Sequence, residues 1–590
     1  MSAPRFTFAL IADTHLNPED GVSSSPWRSN ALANQRARWA VAALNADRPT
    51  FVIHLGDMVH PIPAQPGFLP AVERFDAIFD RLEAPLHLLP GNHDIGDKPG
   101  EWMPAHTVTN AALESYTNAF GPLWHSFDHG DCRFILHCNP ICGADLDADS
   151  EQWRWLEASL AEAKGRRIFF MTHYPLFLTT SDEPEHYDNL APTPRAQLKT
   201  LLLAHGVEAI FAAHVHTLFH TRLSADDGAP FQHVAPALSA LRLDYSHLFA
   251  TPPPPDDEFG RNDSAKLGYY LVDVFDEGYR IRFRRSNGAV LDRWPPHEAP
   301  APLASYTEPL SARPIGVDLR QGWAQPLAIP YTGVVDEFRR KYVHNDYLTT
   351  ALQEAGLRDL RVPIDDVLDT PTRRRLAELH ALGHRVQVFT IDPPDERAVE
   401  ALTTSPQVID RLEIIARPHR QAERVAAWRT ALGGAPITLL ASPLWTSADA
   451  AHYGASYTHG ILHGFAPTDH DAMADHLGDA ADGVMVRIGP DMDPADAIAQ
   501  LPQAVDGALV LYVTLTAANP AHRADDDAAQ SARAIGALKA AGALPQRPVV
   551  LFDTLQDFDR GYYPRNGFYD GRFNPRPLAH ALSKANLDRL

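Results

Sequence analysis

Cysteine is scarce in this chain: three residues out of 590, Cys132, Cys138 and Cys142. So few thiols in a chain this long make no disulfide framework, and their spacing suits no metal site. Cys132 and Cys138 lie on one face of a strand reading CRFILHC, where small buried filler is the expected role. Positive charge is in deficit as well, with 52 Lys and Arg against 74 Asp and Glu and a formal net charge of −22. Non-specific nucleic-acid affinity comes from Lys and Arg neutralising phosphates, so no nucleic-acid polymer is expected as a partner. A small anionic substrate would depend on a local positive centre, which bound metal ions provide. Long apolar runs are missing too. No stretch of about 18 apolar residues exists to span a membrane, so no membrane partner is expected. MSAPR runs straight into FTFALIAD without a signal peptide, and a cytoplasmic location is the expectation.

The composition that remains, 45% apolar and 21% charged, is that of an ordinary globular protein. The length exceeds one core, so two large domains are expected. Five polar patches stand out in the first 220 positions: Asp13 and His15 in Asp-Thr-His, Asp57 in Gly-Asp, Asn92 and His93 in Gly-Asn-His-Asp, His173 in Thr-His-Tyr-Pro, and His214 and His216 in His-Val-His. Most follow an apolar run such as FTFALIADTH, FVIHLGD or RIFFMTHYP, which reads as a buried strand. Each cluster then falls at a strand's carboxyl end, where open α/β sheets build their sites. Imidazoles, carboxylates and an amide oxygen without thiolate suit Fe, Mn or Zn, and the count suits two ions sharing one ligand. His54 and His87 lie within apolar strands and read as core histidines.

Strands are expected at 6–12, 51–55, 86–89, 132–138, 167–171, 207–212, 217–223, 231–236, 268–275 and 279–285. Helices are expected near 29–46, 70–83, 150–164 and 193–205. This is an α/β domain over residues 1–293, a mixed β-sandwich flanked by helices. A Pro-rich loop, TPPPPDDEFGRND at 251–263, interrupts it. WPPHEAPAPLA at 294–304 reads as a linker. Over 305–590 short apolar strands alternate with helices at 360–365, 385–391, 411–416, 436–442, 458–465, 483–489, 508–515 and 548–555. Eight such strands suggest a closed (β/α)8 barrel, with an open doubly wound sheet as the alternative.

The five patches together resemble the calcineurin-like metallophosphoesterase superfamily over roughly residues 5–285. The opening IADTHL is similar to that of bacterial class III cyclic-nucleotide phosphodiesterases and glycerophosphodiesterases. The resemblance implies two metal ions, one on Asp13, His15 and His216 and the other on Asn92, His173 and His214, bridged by Asp57. It departs at one point: Ala213 stands where the family has Gly before His-x-His. The implied function is hydrolysis of a small phosphodiester by a hydroxide bridging two cations about 3.5–4 Å apart. Phosphomonoester hydrolysis, or a carbohydrate-active barrel with an accessory phosphatase domain, are the alternatives. His93 is expected to serve the leaving-group oxygen and Asp94 to orient His93 or an incoming ligand.

Substrate contacts are expected from loops next to the ligands: Asn17, Trp27 and Arg28 in the loop at 16–30, His60 after Gly-Asp, Tyr174 after His173, and Arg242 and Tyr245 after a late strand. In the barrel, Asp392, Asp553, Asp557 and Asp559 lie at or after strand ends. No pair of strand-end Glu residues of the kind glycoside hydrolysis needs is visible. The barrel is therefore expected to serve packing, homo-oligomerisation or covering of the phosphoesterase site.

Overall fold

The computed structural model describes the chain apart from residues 1–2, 225–227, 243–263, 294–313, 321, 332–336, 339, 405, 447, 450–460, 478–480, 503–504, 518–525, 559–565 and 588–590. The Pro-rich loop at 251–263, the linker at 294–304, Tyr245 and Asp559 lie outside the described residues. Two compact units result. One comprises Met1–Tyr306 with Pro326–Tyr347, the other Thr307–Gln325 with Leu348–Leu590.

The first unit has eleven strands that matter for the site: β1 (Phe6–Ile11), β2 (Val52–His54), β3 (Leu86–Leu88), β4 (His125–His129), β5 (Cys132–His137), β6 (Arg167–Thr172), β7 (Ala209–Ala212), β8 (Phe219–Arg222), β9 (Phe231–Val234), β10 (Gly268–Val274) and β11 (Tyr279–Arg285). They form two mixed sheets, ordered β11-β10-β1-β2-β3 and β4-β5-β6-β7-β9-β8. β1, β2 and β3 run parallel, as do β5, β6, β7 and β9. The sheets meet through aromatic edges: Phe134 lies 5.2 Å from Phe8 and 5.0 Å from Phe51, and Phe8 lies 5.8 Å from Phe169. Edge-to-face rings of this kind add to the area they bury.

Helices α1 (Ala33–Asp47) and α2 (Phe68–Phe79) pack apolar faces bearing Ala37, Val41, Leu44 and Phe75 into one core cluster. Further along the chain come the short α3 (Asn92–Ile95) and α4 (Asn110–Phe120). Helices α5 (Asp147–Glu162) and α6 (Pro192–Ala204) cover a second cluster with Leu156, Leu160, Leu198 and Leu202. This is the expected helix-flanked sandwich.

α4 and β4 lie outside the expected elements. The apolar stripe of α4 is only Leu113, Tyr116 and Phe120 wide, and HSFDH is too polar to announce a strand. Thr109 caps α4 by accepting from the Ala112 N–H, and pairing with β5 fixes β4. All three cysteines are buried free thiols.

In the second unit eight parallel strands close into a barrel: Ile315–Asp318, Asp359–Pro363, Arg385–Thr390, Ile409–Ala416, Thr438–Thr446, Gly483–Ile488, Ala508–Val513 and Val549–Phe552. The last pairs with the first, completing the ring. One stave differs from expectation. From the segment 458–465 only Ile461–His463 is a described strand, and it pairs antiparallel with the end of Thr438–Thr446, outside the ring. The missing stave is Ile315–Asp318. Its four residues are too few for a periodic signal, and it contains Gly316 because a Cβ there would collide with the Asp359 carbonyl on the neighbouring strand.

The boundary expected at residue 293 needs revision for a physical reason. The chain enters the barrel unit at 307–325 and then returns to the first unit at 326–347. There Leu327–Ile329 pairs antiparallel with Lys341–Val343. Lys341, fully buried, places its ammonium 2.6 Å from the buried carboxylate of Asp188. A lysine and an aspartate so far apart in sequence are buried only as partners.

Candidate metal centre

Each patch falls where the apolar runs placed it. Asp13 and His15 follow β1, Asp57 follows β2, Asn92 and His93 open α3 just after β3, His173 follows β6, and His214 and His216 follow β7. The loops continue the parallel pairing past the strand ends: Asp13 N–H donates to the Gly56 carbonyl, His15 N–H to that of Asp57, and Ala213 N–H to that of His173. Five of these residues adopt the left-handed region, with φ of 50° at Asp13, 43° at His15, 57° at Asp57, 73° at His214 and 56° at His216. Such backbone costs about 1–3 kcal/mol per residue and gathers where function over-determines the structure. Ala213 is not among the positive-φ residues, so its replacement of Gly brings no strain. Glycine is required elsewhere: a Cβ on Gly56 would strike Gly91 and His173, and one on Gly91 would strike the Asp57 carboxylate.

The side chains form two buried groups around one shared carboxylate. Asp13, His15, Asp57 and His216 make one; Asp57, His173 and His214 make the other. His15 Nε2 is 3.0 Å from His216 Nε2 and 3.4 Å from Asp57 Oδ2, while His173 Nε2 is 3.5 Å from that same oxygen. Asn92 joins the second group through Oδ1, 3.0 Å from His173 Nε2 and 2.9 Å from His214 Nδ1. Both Asp13 oxygens are buried without a hydrogen-bond partner. Orphaned carboxylate oxygens and imidazole nitrogens crowded at 3 Å are costly as they stand. Cations satisfy them, and the donor set of nitrogen and oxygen fits two such ions.

The electrostatics follow from burial. Burial pushes the Asp13 carboxyl well up, against the opposing pull of His173 and the His214 backbone. Burial acts the same way on Asp57, but the surrounding imidazoles, His173 foremost, hold it well below the usual carboxylate range. Burial disfavours a charged His173, yet the Asp57 carboxylate outweighs it and raises the imidazole to about 9. In the cation-free protein that raised value stabilises the fold fully below the ordinary 6.5, and the contribution is lost as pH rises through about 9. A ligating imidazole must also shed its proton. The rise in melting temperature on adding Mn2+ to EDTA-treated protein is therefore expected to grow from pH 6.5 to pH 9. A rise that is flat across that window would show that His173 does not exchange a proton for a cation.

Residues behind the cluster hold it in place. The Asp94 carboxylate, expected to orient His93, accepts instead from the backbone N–H groups of Asp57, Met58 and Gly91. It thus ties the Gly-Asp loop to the Gly-Asn-His-Asp loop, which is a backbone task rather than contact with the His93 ring. Three supporting residues gave no motif signal. Asp97 accepts from Asn92 Nδ2 at 2.8 Å, which fixes the amide so that Oδ1 faces the imidazoles. The Tyr187 hydroxyl lies 3.4 Å from the same Nδ2, and its ring lies tilted against that of His214 with centroids 4.9 Å apart. Asp188 faces His214 Nε2 at 3.7 Å and is ion-paired to Arg242 at 2.7 Å. Their only sequence trace is position, in loops after ligand-bearing strands.

The substrate-contact candidates divide. His60 joins the site: its ring lies 5.4 Å from His15 and 5.0 Å from His93, and its carbonyl is 2.7 Å from His93 Nδ1. Tyr174 is fully buried behind His214, with ring centroids 4.3 Å apart. Arg242 braces the site through Asp188 and lies 5.2 Å over the Tyr187 ring. Asn17 is buried and donates from its amide to the Asn30 carbonyl, so it secures the loop. Trp27 is half-buried and Arg28 exposed at the start of a short 3-10 helix, and neither makes any of the cluster's contacts. His54 is buried 3.0 Å from Thr14 Oγ1, and His87 stacks 3.7 Å from Phe127; both are structural.

The barrel aspartates also divide. Asp392 is exposed, and Asp557 is ion-paired to Arg576. Asp553 is buried, accepting from the Leu515 N–H and the Thr516 hydroxyl. No helix of the described residues is long and apolar enough to cross a membrane.

Two mixed sheets presenting paired groups of candidate metal ligands at parallel strand ends define the first unit as an α/β sandwich built around a metal-binding cluster. Residues 6–218 match the calcineurin-like phosphoesterase family, and the N-terminal part of the chain is a calcineurin-like metallophosphoesterase domain. Over 199 residues the chain is 27% identical to the Homo sapiens serine/threonine-protein phosphatase CPPED1, a match covering 32% of this chain and 60% of that protein. Over 268 residues it is 23% identical to purple acid phosphatase 22 of Arabidopsis thaliana, covering 41% and 56%. Purple acid phosphatase PPD1 from yellow lupin, a solved structure, aligns over 49% of this chain and 53% of its own with a TM-score of 0.32 and 16% identity. The matches thus span little more than half the length of these relatives.

Proposed function

We propose that the protein is a dinuclear-metal phosphoesterase whose substrates are small soluble phosphodiesters, with Fe, Mn or Zn as the metals. The observation that carries this reading is the carboxylate of Asp57, shared by two groups of ligands that are otherwise separate. Bound there, two cations supply Lewis acidity towards the phosphoryl oxygens and a nucleophile from water at neutral pH. The chain's own residues do the rest. Asp57 offsets both charges, and Asp97 keeps the Asn92 oxygen turned inward. His93 is anchored by its backbone N–H to Asp57 Oδ1 at 2.8 Å and by Nδ1 to the His60 carbonyl. That leaves Nε2 for the leaving-group oxygen, where it donates a proton.

A second reading is phosphomonoester hydrolysis, favoured by the relatives being named phosphatases. Turnover of bis(p-nitrophenyl) phosphate against p-nitrophenyl phosphate by metal-loaded protein decides between them. A clear preference for the monoester replaces the first reading by the second, and no turnover of either removes both.

His93→Ala is expected to keep both metals and to lower turnover by about 100-fold. The loss should shrink for p-nitrophenyl esters, whose leaving group needs little protonation, relative to alkyl esters. An equal loss for both ester types would remove His93 from the leaving-group side.

A further inference from the structure

The interior of the second unit departs from what a packed barrel needs. Such interiors are filled by branched aliphatic side chains. Towards the carboxyl ends of these strands the layer is instead polar and charged. Arg361 donates from Nε to Glu413 at 2.7 Å and from Nη1 to Asp318 at 2.9 Å. The Tyr512 hydroxyl donates to Asp318 at 2.8 Å, Ser442 donates to Glu413 at 2.8 Å, and His463 lies 3.1 Å from the same carboxylate. Glu413 is thus a strand glutamate that no pattern in the sequence singles out, and four neighbours hold it, Gln387 included. Among the described residues both carboxylates of this network, Glu413 and Asp318, are engaged by Arg361, which is not the free pair that glycoside hydrolysis uses.

What this network leaves unused are guanidinium N–H groups. Nη2 of Arg361 is buried without a hydrogen-bond partner, and so is Nε of Arg487. No carboxylate of the described residues pairs with the Arg487 guanidinium, which lies against the Tyr512 ring at 5.3 Å; Arg361 lies against the same ring at 5.2 Å. Burial lowers the Arg487 guanidinium from its usual range, with Tyr512 and Asp553 opposing it and the charges of Arg320 and Arg361 adding to it. Arg320 donates to the Tyr512 hydroxyl while keeping a third of its side chain exposed, so the layer reaches solvent at the mouth where barrels bind ligands. A cation kept here without a partner costs stability, and its fork of donors matches an oxyanion.

We propose that the barrel mouth is an oxyanion-binding site, in which Arg487 and the free Nη2 of Arg361 hold the carboxylate or phosphate of a small ligand. Tyr512 supports both guanidiniums from one ring. Arg361 and Arg320 together offset Glu413 and Asp318, so an entering anion does not face bare carboxylates.

Calorimetric titration of the metal-loaded full-length chain tests this, with D-glucuronate as the carboxylate probe, inorganic phosphate as the other, and D-glucose as the uncharged control. One equivalent of at least one anion is expected to bind, and glucose is not. Arg487→Met should weaken that binding about tenfold or more, with Arg487→Lys intermediate because it keeps charge but not the fork. Phosphate held at the first unit's metals is unaffected by these variants, so only the component lost on substitution counts. Which probe loses its site identifies the anion. The melting temperature of Arg487→Met should be unchanged or higher, since an apolar side chain replaces an unpaired charge. Equal binding by wild type and Arg487→Met, or no anion binding beyond that of glucose, overturns the proposal. A lower melting temperature in both variants would make the guanidinium structural and overturn it too.

Discussion

Asp57→Asn is expected to lower bound metal from two ions per chain to one or none and to reduce phosphoester turnover by about 1000-fold. The substitution is nearly isosteric, and an amide oxygen can still accept from the His93 N–H that Asp57 Oδ1 accepts at 2.8 Å. The fold should therefore persist, as circular dichroism can check. What disappears is the charge that serves both ligand groups at once. In the cation-free protein the same change removes the carboxylate that holds a proton on His173, so that imidazole should fall from about 9. Elemental analysis of the purified variant measures the metal loss directly. Two metals retained with unchanged turnover would sink the shared-ligand assignment.

Lys341→Met is expected to destabilise the first unit by about 3 kcal/mol, the scale for breaking a buried ion pair by removing one partner. That corresponds to a fall in melting temperature of roughly 6–12 °C. Both side chains of the Lys341–Asp188 pair are fully buried at 2.6 Å, and Arg242 and Lys341 hold the Asp188 carboxyl well below its usual range against the cost of burial. Because Asp188 also faces His214 at 3.7 Å, metal affinity should weaken with stability. A fragment ending near residue 300 lacks Lys341 and the strand pair around it, and should show the same defect more severely. A fragment with the full chain's melting temperature and metal content would show that residues 326–347 are dispensable to the first unit.

The candidate metal ligands are legible in the sequence because each follows a strand whose apolar run identifies it. Asp13, Asp57, Asn92, His173 and His214 stand at the ends of FTFALI, VIH, LHL, RIFFMT and AIFA; parallel pairing gathers the first three in one sheet and the last two in the other, and the packing of the two sheets brings both sets together. The barrel's repeat is legible for the same reason, seven of its eight staves being apolar runs in register with the expected segments. Local pattern thus determined the order of strands and helices in both units and where the candidate ligands fall.

Tertiary structure decided what depends on partners distant in sequence. Asp94 could be read as a companion of its neighbour His93, but its carboxylate accepts from the backbone N–H groups of Asp57 and Met58, 37 and 36 residues earlier, as well as from that of Gly91 in its own loop. Asp97, Tyr187 and Asp188 support the site through contacts that no spacing encodes. The stave Ile315–Asp318 is too short to carry a period and exists because the ring needs closing between Val549–Phe552 and Asp359–Pro363. The return of 326–347 to the first unit is fixed by a buried lysine whose counter-ion lies 153 residues earlier. Sequence determines which groups are available for burial. Only the fold determines which of them neutralise one another, because that balance is settled by distance inside a low-dielectric core.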